Sequence, residues 1–107
     1  MTFITNGQWK VESYFIDTVA ITAEFNGYTF KFNEDGSVVG YNGATSASGT
    51  WVGEVRDYSI TSEFPGEGDP LIKLNGHWII KDSGTTFVKA ELQTSGSTMH
   101  LHLVKVP

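Results

Sequence analysis

Two histidines near the end of the chain are the first residues whose spacing could support chemistry. His100 and His102 are separated by one residue, which places both imidazoles on the same face if the segment is a strand. Such a pair could supply two ligands to a transition metal, with His77 as a more distant third candidate. The alternative is a solvated strand face, opposite a buried face that carries Leu101 and Leu103. The sequence favours this alternative, so we expect no metal and no cofactor.

A second group of polar residues lies in one loop. Glu63, Glu67 and Asp69 have glycines among them, and a hard cation such as calcium binds several carboxylate oxygens together. Their spacing matches no calcium-binding loop, and Asp69 is better explained as the cap of a short helix. We therefore interpret these carboxylates as ordinary exposed loop residues.

Catalytic chemistry has little support in the sequence. It needs a hydroxyl held beside a base and an orienting group, or two carboxylates paired in a cleft. Serines and threonines are frequent, but none lies in a glycine-flanked turn of the kind that exposes a nucleophile. The other glutamates with a clear position are scattered, one to a strand or loop: Glu12, Glu24, Glu54 and Glu91. We expect a protein that is not an enzyme.

Eight short segments show the alternation of apolar and polar residues that is typical of strands with one buried face. The second segment, for example, carries Tyr28, Phe30 and Phe32 on one face and leads into the turn residues Asp35 and Gly36. Most connections are short, so consecutive strands should be antiparallel neighbours. The sequence therefore predicts an all-β, eight-stranded, antiparallel up-and-down barrel, although a two-sheet sandwich would show the same alternation.

The alternation also predicts which side chains face the interior. Many of them are large and aromatic, which favours a barrel filled by its own side chains over a hollow one. Tyr14, Tyr41 and Phe87 fall on the polar side of their strands, where grouped aromatics mark an interaction surface; Tyr14 and Phe87 could instead lie beneath the long connections. The residues predicted to point inward are Trp9, Phe15, Tyr28, Phe30, Phe32, Trp51, Ile60, Phe64, Trp78, Val88, Leu101 and Leu103.

Two longer connections, 17–26 and 65–76, interrupt the strand pattern. In the second of them, Asp69 could cap a helix whose first position is Pro70, and Asn75 followed by Gly76 would end it. The sequence thus predicts one short helix of one or two turns between the fifth and sixth strands, plugging one end of the barrel.

Length and charge narrow the choice of partners. The chain has 107 residues, enough for a single domain spanning 1–107 with one core. Its formal charge of −5 disfavours nucleic acid or an anionic membrane as the main partner. The absence of cysteine excludes disulfides, thiol catalysis and thiolate zinc sites, and no apolar run is long enough for a transmembrane helix.

The order of motifs resembles one family. The first strand opens with Gly7, Gln8 and Trp9, the glycine, any residue, tryptophan pattern that begins the first strand of lipocalin-type barrels. The further motifs are, in order, 25–32, Asp35 with Gly36, 49–51, 70–75 and Trp78. This order is similar to the small lipocalin-like, calycin-type domains of predicted secreted lipoproteins in Bacteroidota, a family of unknown function. The resemblance covers the chain from Gly7 to Lys105.

The resemblance implies a lipocalin-like barrel at an extracytoplasmic location, which is periplasmic, cell-surface or secreted, and it transfers no catalytic residue. In lipocalins the tryptophan that matches Trp9 packs at the closed end of the barrel beneath a basic residue of the last strand, a role that Lys105 could fill. Gly7, Trp9 and Lys105 are therefore expected to be structural. No lipidation cysteine precedes Gly7, so membrane anchoring would require a lipidated leader that this sequence does not include.

Two functions remain open at this point. The first is a non-enzymatic module that binds either a small apolar molecule at the open mouth of the barrel or a partner through its surface. Its candidate ligand-binding residues are Tyr28 and Trp78 at the mouth, together with the outward aromatics Tyr14 and Tyr41.

The second is an accessory domain with a filled barrel, which binds no small molecule and presents the two long connections to another protein. A filled interior would favour the second function, and an apolar pocket the first. A third ligand beside His100 and His102 would instead favour chemistry assisted by a metal.

Overall fold

A nine-stranded antiparallel sheet closes on itself in the computed structural model, which describes residues 3–5, 7–54, 56–66, 68 and 71–106. From the third strand to the ninth, each strand pairs with the next along the chain, as expected for consecutive segments joined by short turns, and the first strand pairs with the second, the third and the ninth. The strands are β1 (Trp9–Ile16), β2 (Val19–Ala20), β3 (Tyr28–Phe32), β4 (Ser37–Asn42), β5 (Thr45–Glu54), β6 (Ser59–Glu63), β7 (Gly76–Ser83), β8 (Phe87–Gln93) and β9 (Thr98–Lys105). Three short 3-10 turns accompany them, at Phe3–Thr5, Thr22–Phe25 and Leu71–Leu74.

Closure of the barrel depends on β1. This strand pairs with β9 along its whole length and meets β3 through the pair of Trp9 and Phe30. The two-residue strand β2 pairs with the far end of β1, where Phe15 lies opposite Ala20. The predicted all-β, antiparallel barrel of eight strands is confirmed, and β2 is one additional strand that the alternation did not reveal.

The antiparallel order places the connections alternately at two ends of the barrel. We call the end with connections 17–27, 43–44, 64–75 and 94–97 the mouth, and the opposite end, where β1 begins and β9 ends, the base. Both long connections therefore lie at the mouth. This shared position lets them contact each other across the barrel.

Buried side chains from nearly every strand fill the interior. Trp9, Tyr14, Phe30 and Phe64 are the largest that are almost fully buried. Interior packing of this kind supplies most of the stability of a domain of this size. The remaining buried apolar residues are Ile4, Phe25, Phe32, Val38, Ile60, Leu71, Leu74, Trp78, Ile80, Val88, Ala90, Leu101 and Leu103.

Two orientations that the alternation predicts in β1 are wrong. Phe15, expected inside, is 37% exposed. Tyr14, which the alternation places on the polar side, is 1% exposed and lies beneath the long connections, which is the alternative position for it. The cause is a β-bulge: the register with β9 shifts between Val11 and Ser13, so that Glu12 is an extra residue on β1. An extra residue reverses the alternation beyond it, and the second half of the strand consequently turns Tyr14 toward the core.

The predicted helix also differs in form. The connection between the fifth and sixth predicted strands, which are β6 and β7 here, holds one 3-10 turn of four residues, Leu71–Leu74. Its predicted cap and first residue, Asp69 and Pro70, lie outside the described residues. Leu71 and Leu74 are both buried. Among the described segments, no helix has the length and apolar character needed to cross a membrane.

Candidate functional site

The interior of the barrel holds an apolar cavity of about 40 Å³. A water molecule needs about 10–15 Å³ of such space, whereas a cavity that admits benzene measures about 150 Å³. Ser62 is the polar residue of the wall, and its hydroxyl donates to the carbonyl of Leu74. The interior is therefore nearly filled. Its wall consists of Phe30, Phe32, Val38, Ile60, Ser62, Phe64, Leu74, Trp78, Val88, Ala90, Leu101 and Leu103.

Side chains from β1, β7 and the two long connections pack together at the mouth of the barrel. Tyr14 lies at the centre, with Phe25 stacked on its ring at 5.4 Å and Trp78 edge-on at 5.7 Å. Its hydroxyl donates to the carbonyl of Lys73 at 2.6 Å, and Trp78 Nε1 donates to the carbonyl of Leu74 at 3.0 Å. We call Tyr14, Phe25, Leu74 and Trp78 the mouth cluster.

An ion pair joins the two connections above the mouth cluster. Lys73 Nζ lies 2.7 Å from Glu24 Oε1, and both side chains are partly exposed. Burial raises the pKa of Tyr14 to about 12, and the carboxylate of Glu24 adds to the shift. Tyr14 is therefore neutral at physiological pH and serves as a hydrogen-bond donor.

The four predicted ligand-binding residues do not form one site. Tyr14 and Trp78 meet in the mouth cluster, where both are buried. Tyr28 is half-buried on β3 and stacks on Phe30 at 5.9 Å. Tyr41 is 38% exposed on the outer face of β4, away from the cavity. The pair that comes together, Tyr14 and Trp78, packs ring against ring in the buried mouth cluster.

The predicted structural residues lie together at the base. Trp9 is fully buried, and its Nε1 donates to the carbonyl of Ile4 at 2.9 Å. Lys105 is its register partner on β9. Gly7 has a φ of +82°, and a β-carbon there would lie 2.7 Å from Lys105 Cε. Glycine therefore lets the lysine stem cross the backbone next to Trp9.

His100 and His102 lie on the outer face of β9, between the buried residues of the strand. His100 is opposite Glu91 of β8, and its Nδ1 is 3.8 Å from Glu91 Oε2. His102 is half-buried and packs edge-on against Phe87, with 6.2 Å between the ring centroids. Phe87 is thus a partner of His102 on this face. His100, His102 and Glu91 line an open groove of about 350 Å³ on the outside of the barrel.

The third histidine belongs to a separate polar network formed by β6, the turn that precedes it and β7. His77 Nδ1 is 2.8 Å from Thr61 Oγ1, and His77 Nε2 is 3.3 Å from Asp57 Oδ2. The hydroxyl of Ser59 and, to a lesser extent, His77 hold the pKa of Asp57 below its ordinary value. A hydroxyl, an imidazole and a carboxylate in this order could activate an alcohol. Here His77 and Asp57 are half exposed, so we interpret the network as a cross-strand contact.

Of the three loop carboxylates considered as cation ligands, only Glu63 belongs to the described residues. Glu63 is exposed, and its proposed partners Glu67 and Asp69 lie outside the described residues. Within the described part of the chain, no three His, Asp or Glu side chains converge on a point that could hold a metal. The four scattered glutamates belong to four different elements. Glu12, Glu24 and Glu54 are exposed, and Glu91 is half-buried.

Some contacts of the site could have been found in the sequence, and others could not. Ser95 and Gly96 mark the turn between β8 and β9, and a two-residue turn there places Glu91 opposite His100, as observed. The pair of Glu24 and Lys73 has no such signal. It joins two irregular connections that are 49 residues apart, and no strand register relates them.

No family model matches this chain, and no curated protein matches it. Among solved structures, the chain is similar to the crystal structure of a DUF4847 family protein from Bacteroides vulgatus ATCC 8482. The similarity has a TM-score of 0.68 and covers 94% of this chain and 93% of that chain, with 15% sequence identity. At that identity the two proteins are shown to share their barrel fold.

Proposed function

We propose that this chain is a non-enzymatic, extracytoplasmic, lipocalin-like domain with a filled barrel, which acts as an accessory module by binding another protein through its surface. The observation that carries this proposal is the interior cavity of about 40 Å³ beneath a closed mouth. Sites for small molecules usually enclose about 300–1,000 Å³. An interior this small leaves the surface as the part of the molecule that can meet a partner.

The mouth end supplies the best candidate surface. Val19 of β2 is 62% exposed, and Ile72 of the 3-10 turn Leu71–Leu74 is 49% exposed. Each belongs to one of the two long connections, which the pair of Glu24 and Lys73 holds together. Exposed apolar side chains on neighbouring loops are a common feature of protein interfaces.

The extracytoplasmic location is supported by the resemblance of the motif order to secreted lipoprotein domains, beginning at Gly7 and Trp9. This location is tested by fractionating cells of the native host and detecting the protein in each fraction with an antibody. We expect the protein in the periplasmic, surface or culture fraction, and recovery in the cytoplasm alone would contradict this location.

The first experiment is native mass spectrometry of the protein purified from its own host, followed by organic extraction. We expect the mass of the chain without a stoichiometric small molecule, because the interior has no room for one. A co-purified apolar compound at one per chain would overturn the filled-barrel proposal and identify a carrier.

The second experiment is a pull-down with surface variants. We expect Val19→Ser combined with Ile72→Ser to lose a partner that the wild type retains. Val52→Ser is the matched control, because Val52 is also 62% exposed but lies on the outer face of β5. Equal loss with the control would show that the mouth end is not the binding surface.

A second candidate function is transport of a small apolar molecule by a barrel that opens at its mouth. It is favoured by the almost wholly apolar wall of the cavity and by the exposed ion pair that joins the two long connections at the mouth. Glu24→Gln, which removes the pair, should then increase binding of a fluorescent apolar probe, whereas Glu34→Gln should not. Equal fluorescence from both variants would count against this function.

A further inference from the structure

On the outer face of β8 and β9, two side chains of types that bind metals, His100 and Glu91, lie close to each other. His100 Nδ1 and Glu91 Oε2 are 3.8 Å apart, which is too long for a hydrogen bond. Two ligands of a tetrahedral zinc ion, each about 2.0–2.2 Å from the metal, lie about 3.4 Å apart. A small movement of either side chain would therefore allow one ion to bind both atoms.

We propose that His100, Glu91 and His102 form a binding site for a divalent transition metal such as Zn²⁺ or Cu²⁺ on the outside of the barrel. Imidazole and carboxylate groups are ligands that both metals accept. Because His102 lies two residues along β9 from His100, its ring leaves the same face of the strand. The two histidines and Glu91 then surround one part of the groove.

The site is completed when the metal binds. In the described residues, two of its ligands are close and no third side chain is yet within reach of the same point. His102 packs edge-on against Phe87. Completion of the site therefore requires the His102 side chain to rotate away from that ring and toward His100. The open groove of about 350 Å³ leaves space for this rotation and for water on the ion.

Two neighbouring cations limit the affinity. Lys81 and Lys89 line the same groove, and their ammonium groups repel a divalent ion. The single carboxylate of Glu91 offsets part of that repulsion. We expect micromolar binding, weaker than that of a buried structural zinc site with four protein ligands.

His77 provides a matched control within the same chain. Its side chain is 50% exposed, against 49% for His100, and it also lies near a carboxylate, that of Asp57. Both of its ring nitrogens already have partners, however, since Nδ1 contacts Thr61 and Nε2 contacts Asp57. The proposal therefore predicts that His77 contributes little to metal affinity.

Isothermal titration with Zn²⁺ tests the site, using the whole chain at a pH of about 7.5, roughly one unit above the ordinary pKa of a free imidazole. We expect one zinc per chain, with at least about tenfold weaker binding for His100→Gln and a severalfold loss for Glu91→Gln or His102→Gln. His77→Gln should bind as the wild type does. Melting curves without metal show whether each surface variant remains folded.

Electron paramagnetic resonance of bound Cu²⁺ gives a second measurement that does not depend on affinity. We expect the spectrum to show two imidazole nitrogens in the wild type and one in His102→Gln. Zinc binding that is unchanged by His100→Gln, or that falls equally with His77→Gln, would overturn the proposal. So would the absence of binding by the wild type at millimolar Zn²⁺.

Discussion

At the scale of single residues, Trp9 connects the base of the barrel to the start of the chain. It is fully buried, it pairs with both Phe30 and Lys105, and its indole N–H donates to the carbonyl of Ile4. A tryptophan that is enclosed in this way contributes through its packed area and through one buried hydrogen bond. It should therefore be among the least replaceable side chains of the domain.

We expect Trp9→Ala to lower the free energy of unfolding by about 3–5 kcal/mol, the usual range for a large buried aromatic residue. Urea unfolding followed by circular dichroism measures this change. Trp51→Ala is the comparison, because Trp51 is only half-buried and its Nε1 donates to the carbonyl of Asn33 in the same way. A loss below about 1 kcal/mol for Trp9→Ala would show that Trp9 is not part of the core.

Tyr14 gives the fold a dependence on alkaline pH. Its pKa is about 12 in the folded chain against 10.0 when unperturbed. Because the unfolded chain releases this proton first, the stabilisation is complete below pH 10 and is lost as the pH rises toward 12. The total loss should be at most about 2–3 kcal/mol.

Unfolding of the wild type and of Tyr14→Phe between about pH 8 and 11.5 isolates this effect. At pH 8 the variant should be less stable by about 1 kcal/mol, since it lacks the hydrogen bond to Lys73. The difference should shrink above pH 10, where only the wild type loses stability through Tyr14. Stability curves that stay parallel over this range would contradict the assignment.

At the scale of elements, the bulge in β1 keeps Tyr14 and Ile16 on the same face of the strand as Trp9 and Val11. Glu12 is the extra residue, and without it Trp9, Val11, Tyr14 and Ile16 would follow each other on one face in strict alternation. The bulge therefore adds a residue without changing which side chains are buried. A β-bulge increases the local twist of its strand, and we infer that this is the contribution of Glu12 to the closed barrel.

Deletion of Glu12 tests this interpretation. We expect a folded protein in which Tyr14 is still buried. Its free energy of unfolding should be lower by about 0.5–3 kcal/mol, the range of most single changes. Deletion of Lys31 from the regularly paired strand β3 is the control, because it would turn Phe32 outward and should cost more. Tryptophan fluorescence and thermal unfolding compare the two deletion variants. If deletion of Glu12 lowers stability as much as deletion of Lys31, the interpretation of the bulge is refuted.

The regular parts of the barrel could be predicted from the sequence, and its irregular parts could not. Strands such as β3 carry an unbroken alternation, which reveals both their existence and their buried face. The bulge at Glu12 cannot be read in this way, because both phases of β1 contain aromatic residues, Tyr14 and Phe15. The closure of the mouth depends on contacts between Phe25, Tyr14 and the segment Leu71–Leu74, and no local pattern specifies such distant contacts.

At the scale of the whole molecule, the choice between a filled barrel and a carrier depends on volume. Large aromatic side chains occupy the interior of a short barrel, and about 40 Å³ remains. Well-packed interiors resist opening because each displaced side chain loses its contacts. The same packing predicts that space for a ligand appears only when a large side chain is removed.

Phe64→Ala makes that space. Phe64 lines the cavity and is 2% exposed, and its truncation should enlarge the cavity toward the about 150 Å³ that admits benzene. The variant should be destabilised by about 3–5 kcal/mol and should melt at a higher temperature when benzene is added, because a ligand that binds only the folded state stabilises it. The wild type and Phe87→Ala, which truncates a side chain on the outer face, should show no such shift. If benzene raises the melting temperature of the wild type as well, then the barrel opens without mutation, and the case for a carrier becomes stronger than the case for a surface-acting module.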